Sequence, residues 1–263
     1  MTQARNYLAI DLGAESGRTI VGSLDGDKLT LTETHRFANG PVRLNDGLHW
    51  DVLRFWSDIK EGISKSKGIE SIGLDTWAID FALLDKNNSL LSNPFHYRDA
   101  RTDGMMDEAF KRLPRAEIFS NTGIQFMQIN TLYQLLAMSV QKSPLFDIAK
   151  TFVTIPDLFN FWLSGELTNE FTNATTTQCF DPLKQDWSTK ILDAFNIPTQ
   201  LFQPVTDSGI QIGTLLPSLA EETGVGVIPI VLPACHDTGS AVVAVPATNQ
   251  DFAWLSSGTW SIM

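Results

Sequence analysis

The residues of this chain best suited to chemistry begin with an aspartate and a glycine-bearing turn. Asp11 ends an apolar run, and Leu12-Gly13-Ala14-Glu15-Ser16-Gly17 connects that run to a second one. Glycines let the backbone approach a ligand closely and turn successive N–H groups toward an anion. Gly13, Ala14, Glu15, Ser16 and Gly17 would thus suit β- and γ-phosphates. Asp11 would suit Mg2+ held through water, because Mg2+ keeps much of its hydration. The segment is no P-loop, since it lacks the Gly-Lys-Ser/Thr ending and precedes a strand. An ordinary hairpin with a polar turn fits the same letters. A second turn, Ser257-Gly258-Thr259, has the same small, hydroxyl-bearing character. Two such hairpins can grip one triphosphate from opposite sides.

Asp237 lies in Ala234-Cys235-His236-Asp237-Thr238-Gly239-Ser240, between two apolar segments. A carboxylate there can take the proton of a hydroxyl as it attacks phosphorus. It can equally cap a helix, and the spacing alone favours the cap. His236 suits either a polyol contact or a structural hydrogen bond. Cys235 beside it has no spaced second pair, so a zinc site is not indicated. In Asp75-Thr76-Trp77-Ala78-Ile79-Asp80, an indole face and two carboxylates match a sugar, which is apolar on its faces and polar at its rim. A packing tryptophan in a loop is the plainer reading. His96 to Thr102 is either a polar wall or, more commonly, a surface ion-pair cluster.

The elements that must hold these residues are legible in outline. Tyr7–Asp11, Arg18–Leu24 and Lys28–Glu33 read as an antiparallel meander. Asp51 is placed to cap a helix with Val52, Phe55, Trp56, Ile59 and Ile63 on one stripe. Ile69–Leu74 reads as a strand ending at Asp75, and Phe81–Leu84 with Leu90-Leu91 as a hairpin. Thr131–Val140, capped by Asn130, is a predicted helix with Leu132, Leu135, Leu136 and Val140 facing a core. Thr151–Ile155 reads as a strand, with a helix from Pro156 to Gly165. Trp187–Phe195 is a further helix, and Val225–Leu232 a strand. At the end, Phe252–Leu255 and Trp260–Met263 read as two strands about a tight turn, echoing the opening hairpin. That echo suggests a first lobe, residues 1–243, followed by the start of a second at 244–263, and hence a piece of a longer protein.

Composition narrows the field. The chain has 263 residues, 43% hydrophobic and 19% charged, which is ordinary for a globular protein. Nineteen Lys and Arg against 30 Asp and Glu give a formal charge of −11, which argues against nucleic acid or an anionic membrane as partner. No apolar run approaches the roughly 18 residues of a membrane span. Two cysteines make no disulfide framework, and cytoplasmic residence is the expectation.

Taken together, AIDLGAESGR, HRFANG, SIGLDTWAIDFALLD, YRDART, TGIQF with NTLYQL, PDLFNFWLSG, TNATTTQ, ACHDTGSAV and LSSGTWS resemble the FGGY carbohydrate kinases, and within them the branch acting on L-rhamnulose. The resemblance covers nearly the whole chain. It implies an α/β fold of the actin-like ATPase (ribonuclease H-like) type, with two related lobes about a cleft. It implies transfer of the γ-phosphoryl of MgATP to the 1-hydroxyl of L-rhamnulose. By the same resemblance Asp237 matches the catalytic base, His236, Asp237 and Thr238 a substrate-contacting run, and Ala78 a substrate-contacting position where glycine is usual. Gly13 to Gly17 match one phosphate hairpin, and Thr259 contributes from the second lobe. Glu15 stands where a small hydroxyl residue is usual. Because members of the family are nearly twice this length, the chain alone is expected to be inactive. Another FGGY kinase, acting on fuculose or xylulose, and a non-catalytic sugar-binding module are the alternatives; oligomeric state is not legible.

Overall fold

The computed structural model describes residues 4–249, 251–257 and 261–263. Strand β1 (Arg5–Leu12) folds back into β2 (Ser16–Asp25), and β2 into β3 (Lys28–Ala38), giving the expected meander. Strands β4 (Pro41–Leu44) and β5 (Gly47–Trp50) form a small separate hairpin. Helix α1 (Val52–Lys65) begins where predicted. The Asp51 carboxylate accepts the Arg54 N–H at 3.2 Å, and Val52, Phe55, Ile59 and Ile63 are buried along one stripe. Strand β6 (Ser71–Thr76) then returns parallel to β1.

Strand β7 (Phe81–Leu84) precedes four helices, α2 (Met105–Arg112), α3 (Arg115–Thr122), α4 (Thr131–Val140) and α5 (Leu145–Ile148), and then pairs antiparallel with β8 (Thr151–Thr154). The hairpin expected with Leu90-Leu91 is reduced to one bridge, Leu84 to Leu90, and a Leu91 N–H donated to Leu83 O at 3.0 Å. Asn130 does precede α4, but its side-chain amide turns to Gln125 O and Gln178 Oε1 instead of capping it. Val140, expected to face a core, is 41% exposed at the end of that helix.

Helix α6 (Ile155–Ser164) carries Pro156 in its first turn, where the missing N–H is not needed. Next come α7 (Phe171–Thr176), β9 (Phe180–Asp181), β10 (Asp186–Trp187) and α8 (Thr189–Ala194). Trp187 therefore lies in a strand, and the predicted helix starts two residues later because the Ser188 hydroxyl caps it. Strand β11 (Gln211–Thr214), helix α9 (Pro217–Thr223), strand β12 (Pro229–Val231) and helix α10 (Asp237–Val243) follow. The last pair, β13 (Ser256–Ser257) and β14 (Ser261–Ile262), is antiparallel. The returning hairpin is thus present but shorter than predicted, with 252–255 outside any strand. Thr259 lies outside the described residues.

Six strands form one mixed sheet in the order β11-β12-β6-β1-β2-β3. Beside the antiparallel meander, β1, β6 and β12 run parallel. Alternation along these strands decides what faces the site. Leu8, Ile10 and Leu12 of β1 and Ile72 and Leu74 of β6 enter the core shared with α1, α6 and α9. Asp11 and Asp75, one residue out of phase, share the opposite face. A one-residue slip would bury both carboxylates among leucines, so the apolar pattern itself enforces their position. A second core, around α4, β7, β8 and α8, stands apart from the sheet.

Candidate active site

Three carboxylates converge at the ends of the parallel strands. Asp11 and Asp75 are register partners on β1 and β6. On the other side of β6, Thr76 bridges His236 in parallel, and the Thr76 N–H donates to Cys235 O at 3.0 Å. That pairing delivers Asp237, the first residue of α10, beside the other two. His236, not Asp237, occupies the cap position of the helix, so the capping role favoured by spacing is not the one Asp237 takes. Its carboxylate instead accepts from the Thr238 N–H and hydroxyl.

The electrostatics follow from this crowding. Burial first, then the charges of Asp11 and Asp237, push the Asp75 carboxyl well above the usual carboxylate range. Burial likewise raises Asp237, opposed by His236 and the Thr238 hydrogen bonds. Burial lowers His236, whose Nε2 is 3.3 Å from Asp237 Oδ1, so its imidazole is neutral at neutral pH. Arg18 offsets part of the negative charge. As the cross-strand partner of Asp11 it donates from Nε at 2.8 Å and approaches from a terminal guanidinium nitrogen at 2.6 Å. Its place was readable from the hairpin register, yet sequence reasoning passed over it. The Asp237 side chain retains 38% exposure and is open to a ligand.

The Gly13–Gly17 turn adjoins this cluster because it links β1 to β2. It is tighter than a free nest of donors. The Gly13 N–H donates to Ser16 O at 3.0 Å, the Trp77 N–H to Leu12 O at 3.0 Å and the Asn39 N–H to Glu15 O at 3.0 Å. The Asn39 amide also holds Gly13 O, a contact with no sequence signal. A Cβ at Gly17 would come within 2.3 Å of the Phe37 ring, so packing alone already demands glycine there. Glu15 is exposed, which keeps its charge away from the turn's inner side.

The Asp75–Asp80 loop divides. Asp75 and Ala78 are partly accessible, but Trp77 and Asp80 are buried. The indole face expected to meet a sugar packs on Trp50, ring centroids 4.1 Å apart. Asp80 accepts from the indole N–H groups of Trp50 (2.5 Å) and Trp77 (3.0 Å), from Gln134 Nε2 (2.8 Å) and from the Tyr97 N–H (3.2 Å). Burial outweighs those donors and lifts its carboxyl to about 6. Neither side chain offers an open surface; both brace the loop from below. Between Ala78 and Asp80 the backbone makes a three-residue turn, the Asp80 N–H reaching Ala78 O at 2.9 Å, with Ile79 at φ 70°. A β-branched residue there is strained. Thr131 and Gln134 hold the Ile79 carbonyl in place.

Three hard, mutually repelling oxygen donors suit Mg2+ better than a softer metal. Among the described residues the one set of three groups whose ligand atoms lie close enough to share an ion is a different one, His35, Asp58 and Glu61. There Lys65 Nζ already sits 3.1 Å from His35 Nδ1 and 2.6 Å from Glu61 Oε1, closing an ion-pair cluster on itself. The His96–Thr102 segment is neither a wall nor a surface cluster: His96, Asp99 and Thr102 are buried, and Arg101 reaches Gln134 Oε1 at 2.7 Å. Among the described residues no helix is long and apolar enough to cross a membrane.

Comparison with known proteins shows the family and the fold. The family model for the FGGY family of carbohydrate kinases, N-terminal domain, matches residues 6–244. A rhamnulokinase of Halalkalibacterium halodurans is 45% identical over 263 residues, covering 98% of this chain and 56% of its own length. One of Bacteroides thetaiotaomicron is 39% identical, covering 98% and 54%. The chain thus spans about half the length of the curated relatives it matches. Among solved structures, gluconate kinase from Lactobacillus acidophilus superposes with a TM-score of 0.78 at 18% identity, covering 88% of this chain and 48% of its own. Plasmodium falciparum glycerol kinase with ADP gives 0.73 at 17%, again covering 88% and 48%. These likenesses establish the actin-like kinase fold, and with the family match along nearly its whole length the chain belongs to the FGGY family of carbohydrate kinases.

Proposed function

We propose that the protein carrying this chain transfers the γ-phosphoryl of ATP to the 1-hydroxyl of L-rhamnulose, with residues 1–243 forming the sugar-binding lobe and 244–263 opening the nucleotide-binding lobe. The observation that carries this reading is the half-open Asp237 carboxylate beside Asp11 and Asp75, one strand from the Gly13–Gly17 turn. The likeness to rhamnulokinases along 98% of the chain supports the choice of sugar.

Asp237 accepts the proton of the attacking hydroxyl. Its raised pKa makes it a stronger base than an exposed aspartate, and at neutral pH the neighbouring imidazole does not compete as a cation. His236 and Thr238 contact the sugar, with the rim of Asp75 and the backbone at Ala78 on the facing loop. Trp77 and Asp80 keep that loop in shape. Gly13, Ala14, Glu15, Ser16 and Gly17 line the phosphate side through their backbone, and Thr259 does so from the second lobe. Asp11 would hold Mg2+ through water, and the ion would supply neutralising charge to the phosphates. Arg18 limits the repulsion that three adjacent carboxylates would otherwise impose on an incoming triphosphate.

Substrate choice is tested by coupled ADP release from the full-length protein with L-rhamnulose, L-fuculose and D-xylulose. The highest kcat/KM is expected for L-rhamnulose. A tenfold preference for either of the others would move the protein to a different branch of the family.

A further inference from the structure

The run Thr172 to Gln178 stands out in the sequence and meets the groups assigned above only along the backbone around Asp237. The His236 N–H donates to Thr172 Oγ1 at 3.1 Å. The Thr172 hydroxyl donates in turn to Glu170 Oε2 at 2.7 Å. A hydroxyl has a single proton, so once Glu170 takes it a lone pair must face His236. Glu170 therefore sets the direction of the Thr172 hydroxyl.

Glu170 is wholly buried, and it also accepts the Asn173 N–H at 3.1 Å and the Ser208 hydroxyl. Capping the six-residue α7 does not require a buried charge, since a serine or aspartate serves helix ends well. Burying a carboxylate is costly unless its hydrogen bonds are all of use. The bond to Thr172 is the one that reaches the active site. Thr172 also supports the segment from the other side of Asp237. A Cβ at Gly239 would stand 3.5 Å from Thr172 Cβ and 3.1 Å from Ala234 Cβ, so the first turn of α10 rests on this threonine. One side chain thus bonds the residue before Asp237 and lies close beneath the turn after it.

We propose that Thr172, oriented by Glu170, is a positioning residue that fixes the backbone on both sides of the Asp237 carboxylate. The proposal rests on Asp237 being the base. Neither Thr172 nor Glu170 is itself a sugar or phosphate contact, so the positioning role reads out in kcat more than in KM.

The test uses full-length protein and four variants, Thr172→Val, Thr172→Ser, Glu170→Gln and Asp237→Asn, assayed for kcat and for the KM of ketose and ATP. Thr172→Val keeps the shape but removes the acceptor; kcat is expected to fall at least tenfold, with the KM of ATP within twofold of the parent and the KM of the ketose changed by less than kcat. Thr172→Ser restores the hydroxyl and is expected to return kcat to within threefold. Glu170→Gln is expected to lower kcat at least threefold with KM unchanged, and it carries the test if Thr172→Val does not fold. The proposal is overturned if the folded variants among Thr172→Val and Glu170→Gln keep kcat within twofold, or if Thr172→Ser falls as far as Thr172→Val. Asp237→Asn separates the two ideas. An inactive Asp237→Asn beside an unaffected Thr172→Val sinks the positioning role alone, whereas an active Asp237→Asn sinks the assignment of the base and the positioning role with it.

Discussion

Asp80 shows how a single buried residue can carry the shape of a loop. Four N–H donors converge on its carboxylate in a site with almost no water contact. Its carboxyl titrates at about 6 in the folded chain against an ordinary 3.8. Between those values the folded chain holds a proton that the unfolded chain has lost, so stability falls as pH rises from about 4 to about 6. Asp157, lifted by burial to about 7, extends the same slope upward. Asp80→Asn is expected to flatten the lower part of the slope in urea titrations at several pH values. It should also cost about 2–4 kcal/mol at pH 7, because asparagine keeps one acceptor oxygen and turns an NH2 toward donors that now meet the other. An unchanged slope would mean that Asp80 is not the titrating group. Little of this was legible beforehand. An aspartate two residues from an accessible alanine reads as a ligand for hydroxyls, and only the packing of Trp50 on Trp77 reveals it as a brace.

At the scale of elements, period-two alternation located β1, β2 and β6, and with them the face on which Asp11 and Asp75 meet. The Asp51 cap and its apolar stripe located α1. What stayed hidden were elements decided by distant partners. Strand β7 abandons most of its near neighbour at Leu90 for β8, some seventy residues away, because that ladder joins the second core. Helix α4 is buried on nearly every side, so no apolar stripe marks which residues face outward, and Val140 was misassigned. The hairpin at Gly13–Gly17 was legible, but the packing reason for Gly17 was not: the Phe37 ring of β3 lies across it. Gly17→Ala is therefore expected to destabilise the chain by about 1–3 kcal/mol, through displacement of Phe37 and Leu12. Denaturant unfolding checks this; a change below about 0.5 kcal/mol would mean that the ring yields freely.

For the whole molecule, the mixed sheet brings together strand ends that are far apart in sequence: Asp11, Asp75 and the turn before Asp237. Family resemblance made one site of Asp237 and the Gly13–Gly17 turn an expectation, and the register of β1, β6 and the Thr76–His236 bridge gives the physical basis for their approach and adds Asp11 and Asp75. Arg18, Asn39, Glu170 and Thr172, which complete the site's surroundings, carry ordinary loop and strand letters and become visible only in three dimensions. The most direct test of the account is single-turnover phosphoryl transfer from ATP to L-rhamnulose by the full-length protein and its Asp237→Asn variant, with ketose binding followed separately by calorimetry. The account predicts that the variant binds the sugar within about threefold of the parent while transfer falls by roughly 10²- to 10⁴-fold, the usual reach of a general base. Transfer by Asp237→Asn within tenfold of the parent would contradict it.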